Sequence, residues 1–216
     1  HGQPDHGVFG VGISLEGAAQ GIAEPIGGIP QVHVDCQPLV DDGWVLFGPG
    51  PGRSGSVARL WSGRGVAKPN VILVTLDTTR ADHLSCYGST LARTPHLDAL
   101  AARGARFQQA ATAAPLTLPA HCTILTGMYP TYHGVRVNGN TALSEDQTTL
   151  AEVFSAQGYR CGAFISAFVV DGRWGLKQGF ELYDDQLDMG QRKHSDLGAI
   201  QRPGDAVMDA ALAWLE

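Results

Sequence analysis

Residues 70–77 read NVILVTLD, and this run decides the fold class. A near-continuous apolar stretch rich in β-branched residues predicts a strand buried on both faces of a parallel sheet. The run stops at Asp77. Downstream, Thr94-Pro95 to Gly104 supplies a cap, a proline at the first helical position, Leu97, Leu100 and Ala101 on one face, and a terminal glycine, which predicts a helix. The stretch 114–127, APLTLPAHCTILTG, repeats that design, with Pro119 opening a helix and Gly127 closing it. Thr148 or Thr149 caps a third helix carrying Leu150, Val153 and Phe154. Tyr159 to Ile165 reads as another strand, and Val207, Ala211, Trp214 and Leu215 line a last helix. Strands alternating with helices imply an α/β layered domain with a mainly parallel sheet flanked by helices. No internal repeat is present.

The texture before Lys68 is different. Fifteen of the 28 glycines precede residue 66, and such frequent punctuation makes no long helix. Residues 1–68 therefore read as a Gly/Pro-rich loose leader or a non-native extension, with a small β-rich piece around Val32 to Val40 and Trp44 to Phe47 as a further reading. Residues 69–216 read as the folded segment. The chain starts on His1 rather than Met and stops at Glu216 inside a helical pattern. It is expected to be a piece of a longer protein, truncated at the C-terminus.

Composition excludes several classes. The formal net charge is -6 with 15 scattered Lys and Arg residues, so no nucleic-acid surface is expected. Hydrophobic residues make up 44% and charged residues 17%, and no apolar run reaches the roughly 18 residues of a membrane span. The four cysteines, Cys36, Cys86, Cys122 and Cys161, lack metal-type spacing and read as buried thiols rather than disulfide partners.

Chemistry gathers at two places. Asp77 ends the most hydrophobic strand, where ligands collect in such sheets. As a lone residue it is a turn or a metal ligand. Thr117 stands two residues before Pro119, beside free N–H groups and the positive end of a helix. One reading makes it a cap. In the other its hydroxyl is a nucleophile, with the Leu118 N–H donating to a developing oxyanion. A threonine alcohol is a weak nucleophile near neutral pH, and a cation shared by Asp77 and Thr117 would activate it as it activates bound water.

Over about Pro69 to Gln186 the chain resembles the sulfatase family of the alkaline phosphatase superfamily. The resemblance rests on PNVILVTLDTTRADHLSCYG, on TPHLDALAARGARFQQAATAAPLTLPAHCTILTGMYPTYHGVR and on TLAEVFSAQGYR, in that order. It implies an alkaline-phosphatase-like domain and a metal-dependent hydrolase of sulfate or phosphate esters that forms a covalent ester on its nucleophile. Asp77 matches the first metal ligand and Thr117 the nucleophile; the cation would be Zn, Mn or Ca. The family's later ligands would lie beyond Glu216. The implied partner is a small-molecule or glycan or lipid ester, and an exported, periplasmic or extracellular location is favoured.

The departures narrow the chemistry. Sulfatases carry Cys-x-Pro-x-Arg or a Ser variant, whose first residue becomes formylglycine, whereas this chain has Thr117-Leu118-Pro119-Ala120-His121. Threonine cannot undergo that conversion, and Cys122 lacks the following proline. The usual aspartate pair is Asp77-Thr78, and the lysine and histidine expected after GYR are replaced by Ala163-Phe164-Ile165. These changes resemble the phosphodiesterase and nucleotide pyrophosphatase branch, in which a Thr-x-Pro-x-His motif leads to Tyr-Pro, His-Gly and Asn, here Tyr129-Pro130, His133-Gly134 and Asn138. Asn138 would then donate to a non-bridging oxygen; a tight Asn138-Gly139 turn is the alternative. His121 either orients the nucleophile or is a buried structural histidine. His133 reads as a turn residue, Arg136 as exposed, and Asp82 and His83 as loop fasteners. A phospho-group transferase remains open, as does a catalytically inactive fragment acting as an interaction module.

Overall fold

The computed structural model describes residues 8–12, 69–187 and 200–216. The expected β-rich pieces at Val32–Val40 and Trp44–Phe47, and Cys36, lie outside the described residues. Two compact units are distinguished. The described parts of one are 8–12, 69–75, 113–187 and 200–216, and those of the other are 76–112.

The first unit is built on a parallel sheet. Strands β1 (Val8–Gly12), β2 (Val71–Val74), β3 (Arg160–Phe164) and β4 (Leu182–Asp184) lie in the order β2-β1-β3-β4, and every pairing is parallel. The fold class is α/β, as expected. Parallel neighbours need long crossovers, and between β2 and β3 the first unit supplies helices α2 (Thr117–Thr126), α3 (Pro130–His133) and α4 (Leu150–Ala156). A final helix, α5 (Gly204–Leu215), packs on β3 and β1. No helix among the described residues is long and apolar enough to cross a membrane.

Two strand expectations need correction. The run at 70–76 is not buried on both faces: Val71 and Leu73 are half-buried, whereas Ile72 is 59% and Val74 52% exposed. The alternation means that one face of β2 is covered and the other is open to solvent. It is β3 that has the continuous interior pattern, with Cys161, Gly162, Ala163 and Phe164 all buried. The strand at Val8–Gly12 was not anticipated, nor was the three-residue β4.

Sequence chemistry explains how the helices dock. In α2, Leu118, His121, Cys122 and Leu125 form one buried stripe at helical spacing. Burying each leucine there is worth about 2 kcal/mol. On β3, Gly162 lets α5 approach: a Cβ at that position would stand 2.9 Å from the Trp214 indole. Trp214 then packs edge-on to Phe164 at 5.9 Å, and the Arg160 guanidinium lies 5.0 Å from its ring centre. Val207, Ala211 and Trp214 serve this inner side as expected, but Leu215 is 42% exposed.

Thr149 is the cap of α4. Its hydroxyl accepts the Glu152 N–H at 3.2 Å, and the Glu152 carboxylate accepts the Thr149 N–H at 2.7 Å, a reciprocal capping box. The same hydroxyl donates to the Gln178 carbonyl at 2.9 Å, which draws the loop before β4 onto the helix start.

In the second unit, helix α1 (Pro95–Arg103) begins after Thr94 with proline first, as expected. Thr94 caps nothing directly. It forms a cluster with Ser85 and Asp98 instead, with the Ser85 hydroxyl 2.7 Å from both Thr94 Oγ1 and Asp98 Oδ2. Leu97 and Ala101 are half-buried, and Leu100 is exposed.

Gly179 has φ +83°, and a Cβ there would lie 2.2 Å from the Glu152 nitrogen. Gly179→Ala combines left-handed strain with a backbone clash and is expected to cost about 2 kcal/mol or more. A lowered urea midpoint with an unchanged m-value checks this.

Candidate active site

Helix α2 starts two residues earlier than the proline suggested. Leu116 is its N-cap, Thr117 its first residue and Pro119 its third. Thr117 is therefore not a cap. Proline fits at the third position because N–H groups of the first turn have no intrahelical acceptor, so a missing one costs nothing. Thr117 is half-buried and sits at the positive end of a ten-residue helix.

The orphan amide of Leu118 has a partner from a distant segment. It donates to Asn138 Oδ1 at 3.0 Å. This bond joins two residues that the sequence singled out, but it changes the role expected of one. The Leu118 N–H is occupied by Asn138 and is not the free oxyanion donor anticipated. With Oδ1 engaged, the Asn138 side chain keeps its amino group as the remaining donor. Asn138 is exposed and lies in a turn with Gly139, whose φ is +70°. The turn and the donor are thus one arrangement.

His121 is 9% exposed. Its Nδ1 lies 2.8 Å from the Thr117 carbonyl, and its Nε2 lies 3.1 Å from Thr75 Oγ1. A carbonyl only accepts, so Nδ1 carries the hydrogen, and Nε2 shares the second hydrogen bond with the Thr75 hydroxyl. The ring clamps the first turn of α2 to the residue that follows β2. Sequence reasoning missed Thr75. Its one local signal is a hydroxyl interrupting the apolar run.

His133 is structural as expected, but it is the last residue of α3 rather than a turn residue, with 4% exposure. Its Nδ1 accepts the Val135 N–H at 3.1 Å, leaving Nε2 to donate to Thr123 Oγ1 at 3.2 Å. Burial holds its pKa below the ordinary imidazole value. Arg136 is exposed. The Cys122 thiol is pushed up to about 12 by burial in the core, so it stays protonated and is no nucleophile at neutral pH.

In the second unit, Asp77 is half-buried, and its Oδ1 accepts the Thr78 N–H at 3.0 Å. Thr78 has φ +53°, a rare conformation for a β-branched residue and one that costs of order 1–3 kcal/mol. Asp82 fastens its loop as expected, through Arg80 Nε at 2.9 Å. No group of three His, Cys, Asp or Glu side chains forms a metal cage among the described residues. Asp77 and Thr117 each offer oxygen, the donor type that hard divalent ions take.

A sequence model of the Sulfatase family matches residues 69–213. Among similar curated proteins, the steryl-sulfatase of Rattus norvegicus is 33% identical over 118 residues, covering 50% of this chain and 19% of that protein. The N-acetylgalactosamine-6-O-sulfatase of Bacteroides thetaiotaomicron is 35% identical over 123 residues, covering 55% of this chain and 22% of that protein. Arylsulfatase A of Homo sapiens is 36% identical over 128 residues, covering 56% and 24%. The chain thus spans about a fifth of the length of the curated relatives it matches.

His133 yields a pH dependence. Protonating Nδ1 removes the acceptor of the Val135 N–H, so the folded state resists the proton while the unfolded chain accepts it near pH 6.5. The contribution of this group is complete above that value and is lost as the pH falls through it. His133→Asn preserves a side-chain acceptor and abolishes the titration. The urea midpoint is expected to fall less between pH 7 and 5.5 in His133→Asn than in the wild type.

Proposed function

This chain belongs to the sulfatase family, and we propose that the intact protein hydrolyses sulfate esters through a covalent intermediate on Thr117. The observation that supports this most is the 3.0 Å bond from the Leu118 N–H to Asn138 Oδ1, which ties a side-chain amide donor to the residue next to Thr117. Thr117 Oγ attacks the sulfur, the Oγ–S bond forms, and the bond from sulfur to the organic oxygen breaks. The proton lost from Thr117 Oγ ends on the leaving organic oxygen, so the product departs as the alcohol. Water then attacks the adduct, releasing sulfate and restoring the hydroxyl.

The roles divide as follows. The amino group of Asn138 donates to a non-bridging oxygen. Leu118 acts through its backbone, holding Asn138 in that orientation. His121 positions the first turn of α2 and takes no proton from Thr117 Oγ, because both ring nitrogens are engaged. Asp77 and the Thr117 hydroxyl are the proposed ligands of a divalent cation, Zn, Mn or Ca, on their motif positions. Such an ion, when bound, lowers the pKa of a coordinated hydroxyl and polarises the ester. The strained Thr78 beside Asp77 supports a functional loop there.

A second reading draws on the same residues. Thr117 cannot become formylglycine and Cys122 remains a buried thiol, which favours phosphorus over sulfur as the electrophile. The chain then serves a phosphodiesterase or a phospho-group transferase, with an alcohol replacing water in the second step. The substrate in either case is a small-molecule, glycan or lipid ester.

Full-length protein supplied with Zn, Mn or Ca is expected to turn over nitrophenyl sulfate in preference to the phosphate monoester and phosphodiester. The reverse preference selects the second reading, and inertness toward all three selects an interaction module. Thr117→Ala is expected to lower turnover by at least about 10³-fold, with Thr117→Ser recovering part of it. Retained turnover in Thr117→Ala removes Thr117 from the chemistry.

A further inference from the structure

The chain leaves β3 through two 3₁₀ turns, Phe168–Val170 and Gly172–Trp174. Asp171 lies between them and is 6% exposed. Its Oδ1 accepts the Arg173 N–H at 2.9 Å and Arg173 Nε at 2.8 Å, and its Oδ2 lies 3.3 Å from Nη2. The guanidinium also stacks on Phe168, with Cζ 4.5 Å from the ring centre. A buried carboxylate and an aromatic face thus fix one end of a side chain that is 50% exposed. Holding an arginine in this way costs about 2 kcal/mol of rotamer entropy, which a solvated surface charge has no reason to lose. Nη1 takes no hydrogen bond among the described residues and stays available.

The anchored fork adjoins the Asn138 turn. Trp174 donates its indole N–H to the Phe168 carbonyl at 2.9 Å and packs edge-on to that ring. A Cβ on Gly139 would stand 3.8 Å from Trp174 Cη2, and the Trp174 carbonyl accepts the Leu143 N–H at 2.8 Å. Loop 168–175 and turn 137–143 therefore share one packed surface, with Asn138 on one and Arg173 on the other. Of the other cations, Lys177 packs its side-chain stem on Gly172, whereas Arg160 opens β3 and pairs with Glu181, and the half-buried Arg202 pairs with Asp184.

We propose that Arg173 binds an anionic group on the organic part of the ester, a second sulfate, a phosphate or a carboxylate, so that the site selects esters carrying more than one negative charge. This rests on the ester-hydrolase reading for its biological meaning, but its test does not. A charge-assisted hydrogen bond from Nη1 to such an anion is worth roughly tenfold or more in affinity. Full-length wild type is expected to bind benzene-1,3-disulfonate and 3-sulfobenzoate about tenfold more tightly than benzenesulfonate in calorimetric titrations. In Arg173→Gln that preference disappears, and in Arg173→Lys, which keeps the charge and loses the fork, part of it returns. A wild type with no preference for the dianions, or an Arg173→Gln protein that keeps it, overturns the assignment. A preference for the disulfonate alone or for the sulfobenzoate alone identifies the second group as sulfate-like or carboxylate. Nitrophenyl sulfate turnover by the same wild-type sample reports separately on the hydrolase. Lost turnover with retained dianion preference sinks the enzyme reading and leaves Arg173 standing.

Discussion

A backbone amide in the first turn of a helix has no acceptor within that helix, and how α2 meets this requirement shapes the whole site. Pro119 removes one N–H by being proline. The Leu118 N–H reaches outside, to the side-chain oxygen of Asn138. This single bond orients the Asn138 amide, because an oxygen committed to a donor leaves the amino group facing other demands. It also couples the helix start to turn 137–143, and through Gly139 and Trp174 to the loop after β3. Geometry that would otherwise need several independent fastenings follows from one unsatisfied donor.

His121 supplies the complementary fastening on the other side of α2. Its position in the buried stripe Leu118, His121, Cys122 and Leu125 places an imidazole where an aliphatic side chain would be ordinary. The polar cost is met at both nitrogens, by the Thr117 carbonyl and the Thr75 hydroxyl. A histidine used in this way is a bracket, and in the proposed reaction the rigidity it lends to Thr117 is its contribution. Catalytic constellations commonly need supporting contacts of this type, since a misplacement of about 1 Å can cost a hundredfold in rate.

Local chemistry was legible in the sequence and distant pairing was not. Thr94-Pro95, the threonine cap at Thr149 and the glycines closing helices are short-range signals, and each marks the element it predicted. The start of α2 was misplaced because proline is equally acceptable at the first and third helical positions. Strand β1 was missed because two of its five residues, VFGVG, are glycine and its surroundings are rich in glycine. The exposure of Ile72 and Val74 could not be read either, since strand order depends on partners far along the chain. The Leu118–Asn138 and Thr75–His121 bonds span 20 and 46 residues, so no window on the sequence contains the reason for them. The motif resemblance identified the family, which periodicity alone does not do, because it carries the relative order of several segments as a unit.

The two core sulfur atoms have a practical consequence. Cys122 is fully enclosed and Cys161 is 1% exposed, with its thiol pushed up to about 11. Alkylation and oxidation proceed through the thiolate, and both groups remain protonated and shielded while the sheet is closed. Modification of these two positions therefore waits on opening of the β3 layer, which makes their labelling rate an internal clock for the breathing of the domain.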